Sequence, residues 1–129
     1  MIVLDSDVLI EIERGSSHVR SKLARLRSEH PENLAITSAV YAELLFGLLK
    51  RKKWPPAHLQ SFDVLEFDKA SAEIFARKKA ELERKGTPIP IFDLLTASCV
   101  MAHDALLVSF DRHFAAVSGL RTLLLESVC

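Results

Sequence analysis

Four acidic side chains stand where an α/β chain would gather them in one place. Asp5 follows Ile2-Val3-Leu4, Glu43 lies one turn into a helical stretch, Asp93 falls at a helix start, and Asp111 comes just after Leu106-Leu107-Val108. Carboxylates so placed can converge at one edge of a sheet, and if they do they cannot all stay ionised unaided. Two unit charges about 4 Å apart repel by on the order of 4 kcal/mol at an effective dielectric near 20. A domain of this size has only roughly 5–15 kcal/mol of stability to set against that. Shared protons or a bound divalent cation relieve the repulsion. Oxygen donors with few nitrogen or sulfur donors suit Mg²⁺ or Mn²⁺ over Zn²⁺, so the residues point to a hydrolase dependent on one of these ions.

Each acid also has a plain structural use. Asp5 can cap the helix that follows it, but Ser6 and Asp7 can cap instead and leave Asp5 for a ligand. Asp7 either complements the helix dipole or touches a metal, directly or through water. Ser6 can hydrogen-bond a carboxylate or a substrate phosphate. Glu43 has the small residues Ala39 and Gly47 one turn away, which leaves open space beside it, or it is a surface Glu chosen for helix propensity. Asp93 can N-cap its helix without losing the ability to bind a metal, and Thr96 and Ala97 leave room one turn on. Asp111 can cap a short helix containing His113 and Phe114, or face the same crevice as Asp5, with Ser109 as a supporting hydroxyl. His113 reads as an exposed helix residue near the substrate path. What distinguishes the four acids is their common topological position.

The elements that must position them follow from pattern. Apolar runs Ile2–Leu4, Leu34–Ile36, Asp63–Phe67, Leu106–Val108 and Arg121–Leu124 read as strands. Helices are expected from Ser6 or Asp7 to Glu13, from Ser16 or Ser17 with Val19, Leu23 and Leu26 inward, and from Ala39 to about Arg51 after a Thr37 or Ser38 cap. Further helices run from the Asp68 cap to just before Gly86, with Ala72, Phe75 and Leu82 on one face, and from Asp93 to about His103. His30-Pro31-Glu32-Asn33 reads as a loop, and Trp54-Pro55-Pro56 must end the third helix. Strands alternating with helices mean βα units on a parallel sheet, whose ligands bind beyond the strand carboxyl ends at a topological switch point. If the first and fourth strands are neighbours, Asp5 and Asp111 line one crevice.

Composition narrows the classes. A chain of 129 residues suits a single domain spanning 1–129. Seventeen basic and seventeen acidic residues cancel, which disfavours strong unspecific affinity for long nucleic acids. Cys99 and Cys129 do not form a disulfide framework and suit a reducing, cytoplasmic setting. No apolar run is long enough to cross a bilayer, so no membrane association is expected. Lys50-Arg51-Lys52-Lys53-Trp54 is the one dense basic run, either a solvated helix end or an RNA contact that joins charge to a stacking aromatic.

The pieces Leu4-Asp5-Ser6-Asp7-Val8-Leu9-Ile10, Ser38 to Gly47 with Glu43-Leu44, Asp93-Leu94-Leu95-Thr96-Ala97, and Ser109-Phe110-Asp111-Arg112-His113-Phe114 together resemble the PIN-domain family, and within it the small toxin ribonucleases of VapC type. The resemblance covers essentially the whole chain. It implies a three-layer α/β/α fold with a five-stranded parallel sheet flanked by helices. It implies Asp5, Glu43, Asp93 and Asp111 as the catalytic and metal-ligating set for Mg²⁺ or Mn²⁺. It also implies cleavage of RNA, a homodimer, and inhibition by a cognate antitoxin protein. Asp7 and Phe110 each stand where such proteins commonly carry Asn. The first departure adds charge, and the second removes an amide that could orient Asp111. Two other readings compete. Asp5-Ser6-Asp7-Val8 also resembles the nucleophile motif of haloacid-dehalogenase-like phosphatases, although no acidic pair follows a late strand. A catalytically impaired PIN-fold binding module would use the apolar stripe of the Glu43 helix for protein contacts.

Overall fold

The computed structural model describes residues 1–30, 34–52 and 57–126, so the Pro31–Asn33 part of the expected loop, Lys53, Trp54-Pro55-Pro56 and Cys129 lie outside the described residues. Strands β1 (Ile2–Leu4), β2 (Leu34–Thr37), β3 (Asp63–Leu65), β4 (Leu106–Ser109) and β5 (Thr122–Leu124) form one sheet in the order β3-β2-β1-β4-β5. Every pairing is parallel. The chain steps outward from β1 through β2 to β3, then returns to the other side of β1 for β4 and β5. The reversal lies between β1 and β4, where Leu4 pairs with Val108. That is the switch point at which open α/β sheets bind ligands.

Alternation along the strands builds two cores. Ile2, Leu4, Ile36 and Val108 pack on one face beneath helices α1 (Ser6–Glu13), α2 (Ser17–Glu29) and α3 (Ser38–Lys50). Val3, Ala35 and Leu107 point the other way, against α4 (Lys69–Arg84), α5 (Ile91–Ala102) and Phe114. The result is helix, sheet, helix in three layers, as expected from strands that read apolar throughout. All three β1 residues are fully buried. Each such Val, Leu or Ile contributes roughly 1.5–3 kcal/mol by leaving water, so the middle of the sheet is the firmest support available to a site. No helix among the described residues is long and apolar enough to cross a membrane.

The structure corrects several local expectations. Asp5 itself caps α1, its carboxylate accepting from the Ser6 N–H at 2.9 Å, in place of Ser6 or Asp7. This follows from β1 running straight into the helix with no spare residue between them. Helix α5 starts at Ile91 behind Pro90, which brings no side-chain cap, so Asp93 sits inside the first turn and not at the cap. The third strand stops at Leu65, short of Phe67. On α4, Ser71 is buried while Ala72 is exposed. Asp68 fixes that phase, its carboxylate accepting from both the N–H and the hydroxyl of Ser71 at 2.9 and 2.8 Å. Thr37 proves to be the α3 cap.

Candidate active site

The junction of β1 and β4 brings the first two acids together through one serine. Asp5 is 5% exposed at the end of β1, where its N–H donates to Val108 of β4. Ser109, the last residue of β4, is fully buried. Its hydroxyl donates to Asp5 Oδ2 at 2.7 Å and lies 3.2 Å from Asp7 Oδ2. The same oxygen accepts the Asp111 N–H at 2.9 Å. A hydroxyl has one proton, so it donates to Asp5 or to Asp7 but not to both at once, and the shorter contact favours Asp5. Asp7 Oδ2 also accepts the Phe110 N–H at 3.1 Å, while its buried Oδ1 has no hydrogen-bond partner. Ser109, expected only as a supporting hydroxyl, is the hub that ties three acidic residues to the sheet. Ser6 contributes its backbone N–H to Asp5.

Asp93 and Asp111 come together around His113. Asp111 caps the 3₁₀ turn Arg112–Ala116, its carboxylate accepting the His113 N–H at 2.9 Å. The His113 imidazole folds back over that carboxylate, with Nδ1 3.0 Å from Asp111 Oδ1 and 3.9 Å from Asp93 Oδ2. His113 therefore belongs to the cluster although its side chain is 58% exposed. The spacing from Asp111 was visible in the sequence, but the folding back of the ring was not. One ligand atom from each of Asp93, Asp111 and His113 lies within 4.8 Å of the others, a grouping that can hold a metal ion.

Electrostatics places Glu43 in the same neighbourhood. The residue is exposed on α3, and partial desolvation of its carboxylate, then the negative charges of Asp5, Asp93 and Asp7, raise its pKa above the ordinary value. Burial and the Asp5 charge push Asp7 up to about 6. Burial, then the charges of Asp5 and Asp111, do the same for Asp93, with His113 opposing. Asp5 is raised chiefly by burial, against the hydrogen bonds from Ser109 and Ser6. The ion pairs formed by Lys and Arg among the described residues lie elsewhere. Acids that raise one another's pKa, with no Lys or Arg paired to them among the described residues and only His113 opposing, fit a divalent cation. The unpartnered Asp7 Oδ1 fits it too.

The departures at Asp7 and Phe110 now have a physical setting. The Phe110 side chain packs on the α1–α3 core, and its backbone N–H serves Asp7. Asp111 is held at its backbone N–H by Ser109 and at its carboxylate by the capping bond from His113. Thr96, expected to leave room beside Asp93, is buried, and its hydroxyl meets that of Thr37 at 3.3 Å.

A parallel sheet with acids converging at its β1–β4 switch point defines a class, and the chain belongs to the PIN domain family, whose family model matches residues 2–120. It is 30% identical over 115 residues to the tRNA(fMet)-specific endonuclease VapC of Shigella flexneri, covering 81% of this chain and 86% of that one. It is 34% identical over 82 residues to Ribonuclease VapC2 of Rickettsia felis, covering 59% and 61%. Among solved structures, the VapBC2 complex of Rickettsia felis bound to a promoter DNA fragment matches with a TM-score of 0.85 and 27% identity, over 98% of this chain and 100% of that one. VapBC-1 from nontypeable Haemophilus influenzae shares the fold at a TM-score of 0.81 and 20% identity, over 96% and 98%.

Proposed function

We propose that this chain is a divalent-cation-dependent endoribonuclease acting as the toxin of a toxin–antitoxin pair, with Asp5, Glu43, Asp93 and Asp111 as its catalytic and metal-holding residues. The observation that supports this reading is a group of mutually repelling acids about the β1–β4 switch point with no Lys or Arg ion pair to them among the described residues. Asp5, Asp93 and Asp111 would hold Mg²⁺ or Mn²⁺, and Glu43 and Asp7 would stand close enough to support it or its waters. A cation held there supplies Lewis acidity, activating water and offsetting charge on a phosphodiester in its transition state. The chain's own part is positioning. Ser109 fixes Asp5 and the Asp111 backbone from one buried atom, and the rigid β1–β4 pair keeps that atom in place. The unneutralised carboxylates also repel a phosphate backbone, and a bound cation would offset that repulsion.

The relatives named above support the RNA substrate and the antitoxin. An open cavity of about 340 Å³ between α1 and α3, lined by Leu9, Ile10, Ile12, Leu44 and Leu48 and reaching Glu43, supports a protein partner beside the site. Phe46 and Leu49, 63% and 57% exposed on α3, support a homodimer. The basic run is occupied locally where it is described. Arg51 Nε donates to the Gly47 carbonyl at 3.3 Å, and Lys50 lies 5.5 Å from the Phe46 ring centre, as a solvated helix end would.

The test is cleavage of defined RNAs with Mg²⁺ or Mn²⁺, against EDTA and an Asp5→Asn control. Cation-dependent cleavage lost in the variant supports the reading. A trapped covalent phosphoenzyme would move it to the phosphatase class, and absence of Mn²⁺ binding by calorimetry to that of a binding module.

A further inference from the structure

We infer that His113 is a nitrogen ligand to the site's cation, giving the site a preference for Mn²⁺ over Mg²⁺. The inference rests on the active-site reading above and extends its ligand set from oxygen alone to oxygen plus imidazole. The geometry is set by the chain. Asp111 accepts the His113 N–H at 2.9 Å, which fixes the start of the 3₁₀ turn and leaves the imidazole over the same carboxylate. Nδ1 then lies 3.0 Å from Asp111 Oδ1 and 3.9 Å from Asp93 Oδ2.

Ligand atoms about 2.0–2.2 Å from an ion stand no more than roughly 4.4 Å apart across it. The three donor atoms here lie within 4.8 Å of one another, so only slight closure is needed. The ring is 58% exposed. With the ring proton on Nε2, the Nδ1 lone pair is available to a metal. The chemistry then discriminates. Mg²⁺ prefers oxygen ligands in a strict octahedron and keeps several waters. Imidazole suits transition ions, and Mn²⁺ is the transition ion that otherwise shares the carboxylate preference of Mg²⁺.

The rival account has His113 doing no more than donating a hydrogen bond from Nδ1 to Asp111. The two differ in what a truncation does. Calorimetric titration of the full chain with Mn²⁺ and with Mg²⁺ separately, wild type against His113→Ala, reads the difference, and the exposed ring lets the variant fold. A metal ligand predicts that the variant loses about tenfold in Mn²⁺ affinity while Mg²⁺ affinity stays nearly unchanged. Pulsed electron paramagnetic resonance on the Mn²⁺-loaded wild type should show nitrogen-14 modulation that His113→Ala abolishes. Mn²⁺ binding without that modulation, or an equal loss for both ions, overturns the inference and leaves the active-site reading standing. A wild-type chain that binds neither ion overturns both.

Discussion

Two carboxylate centres in this molecule have opposite electrostatics. On α4, Glu81 accepts from Ser118 at 2.7 Å and pairs with Lys78 at 3.3 Å and Lys85 at 3.2 Å, and these partners pull its pKa down to about 2. At the β1–β4 junction, Asp5 also accepts from a serine at 2.7 Å. Its neighbours there are other acids, and Asp7 and Asp93 are pushed up to about 6. Both centres use a serine hydroxyl. They differ in who supplies the positive charge. Around Glu81 the chain supplies it and the centre is complete as folded. Around Asp5 no Lys or Arg does so among the described residues, and under the proposed function a cation from solution would complete the centre.

The contrast can be broken most severely at Asp93. Asp93→Asn should cut RNA cleavage by on the order of 10³-fold, the scale of losing a main electrostatic element of a transition state. Mn²⁺ affinity should fall in calorimetry while the circular dichroism spectrum stays unchanged. Ser109→Ala comes next. It removes the donor to Asp5 and the acceptor for the Asp111 N–H, so thermal unfolding should show a loss of about 1–3 kcal/mol, the cost of buried polar groups left unsatisfied.

A smaller effect sharpens the comparison through pH. Asp7 and Asp93 hold their protons more tightly when folded, near 6 against an ordinary 3.8. Between those values the native state binds more protons than the unfolded state, so stability falls as pH rises. Thermal melts in EDTA should therefore drop by a few degrees from pH 5 to pH 7.5. Discounted for solvent screening, this amounts to on the order of 1 kcal/mol. Mg²⁺ or Mn²⁺ should restore the loss, and Asp7→Asn should flatten it. The Glu81 contribution runs the other way, being present above its ordinary pKa and lost as pH falls toward 2. The smallest change is expected from Glu81→Gln, which should leave cleavage and metal binding unaltered, because surface ion pairs contribute little.

How much of this was legible in the sequence depends on the distance over which each feature is decided. Asp5 and Asp111 could be placed because each follows an apolar strand, and the alternating helices imply a parallel sheet with its ligand edge at the carboxyl ends. Glu43 and Asp93 were credible candidates whose convergence only helix packing could establish. The Ser109 hub was not readable, because its partners are chosen by the pairing of β1 with β4, 104 residues apart in the chain. The helix starts were misjudged at Asp5 and Asp93 for a related reason. Capping propensity is local, whereas the true start of α1 is set by where β1 ends and that of α5 by Pro90.

The Thr37–Thr96 contact has a consequence of its own. Thr37 begins the helix that carries Glu43, and Thr96 sits one turn beyond Asp93 on another. Their hydroxyls meet at 3.3 Å in a fully buried setting. That contact ties the root of α3 to α5 and so bears on how far apart Glu43 and Asp93 stand. Replacing either threonine by valine keeps the bulk but removes the latch. The gap between Glu43 and Asp93 would then be set by looser apolar packing, and an ion would have to gather its own ligands at an entropic penalty that folding has already met.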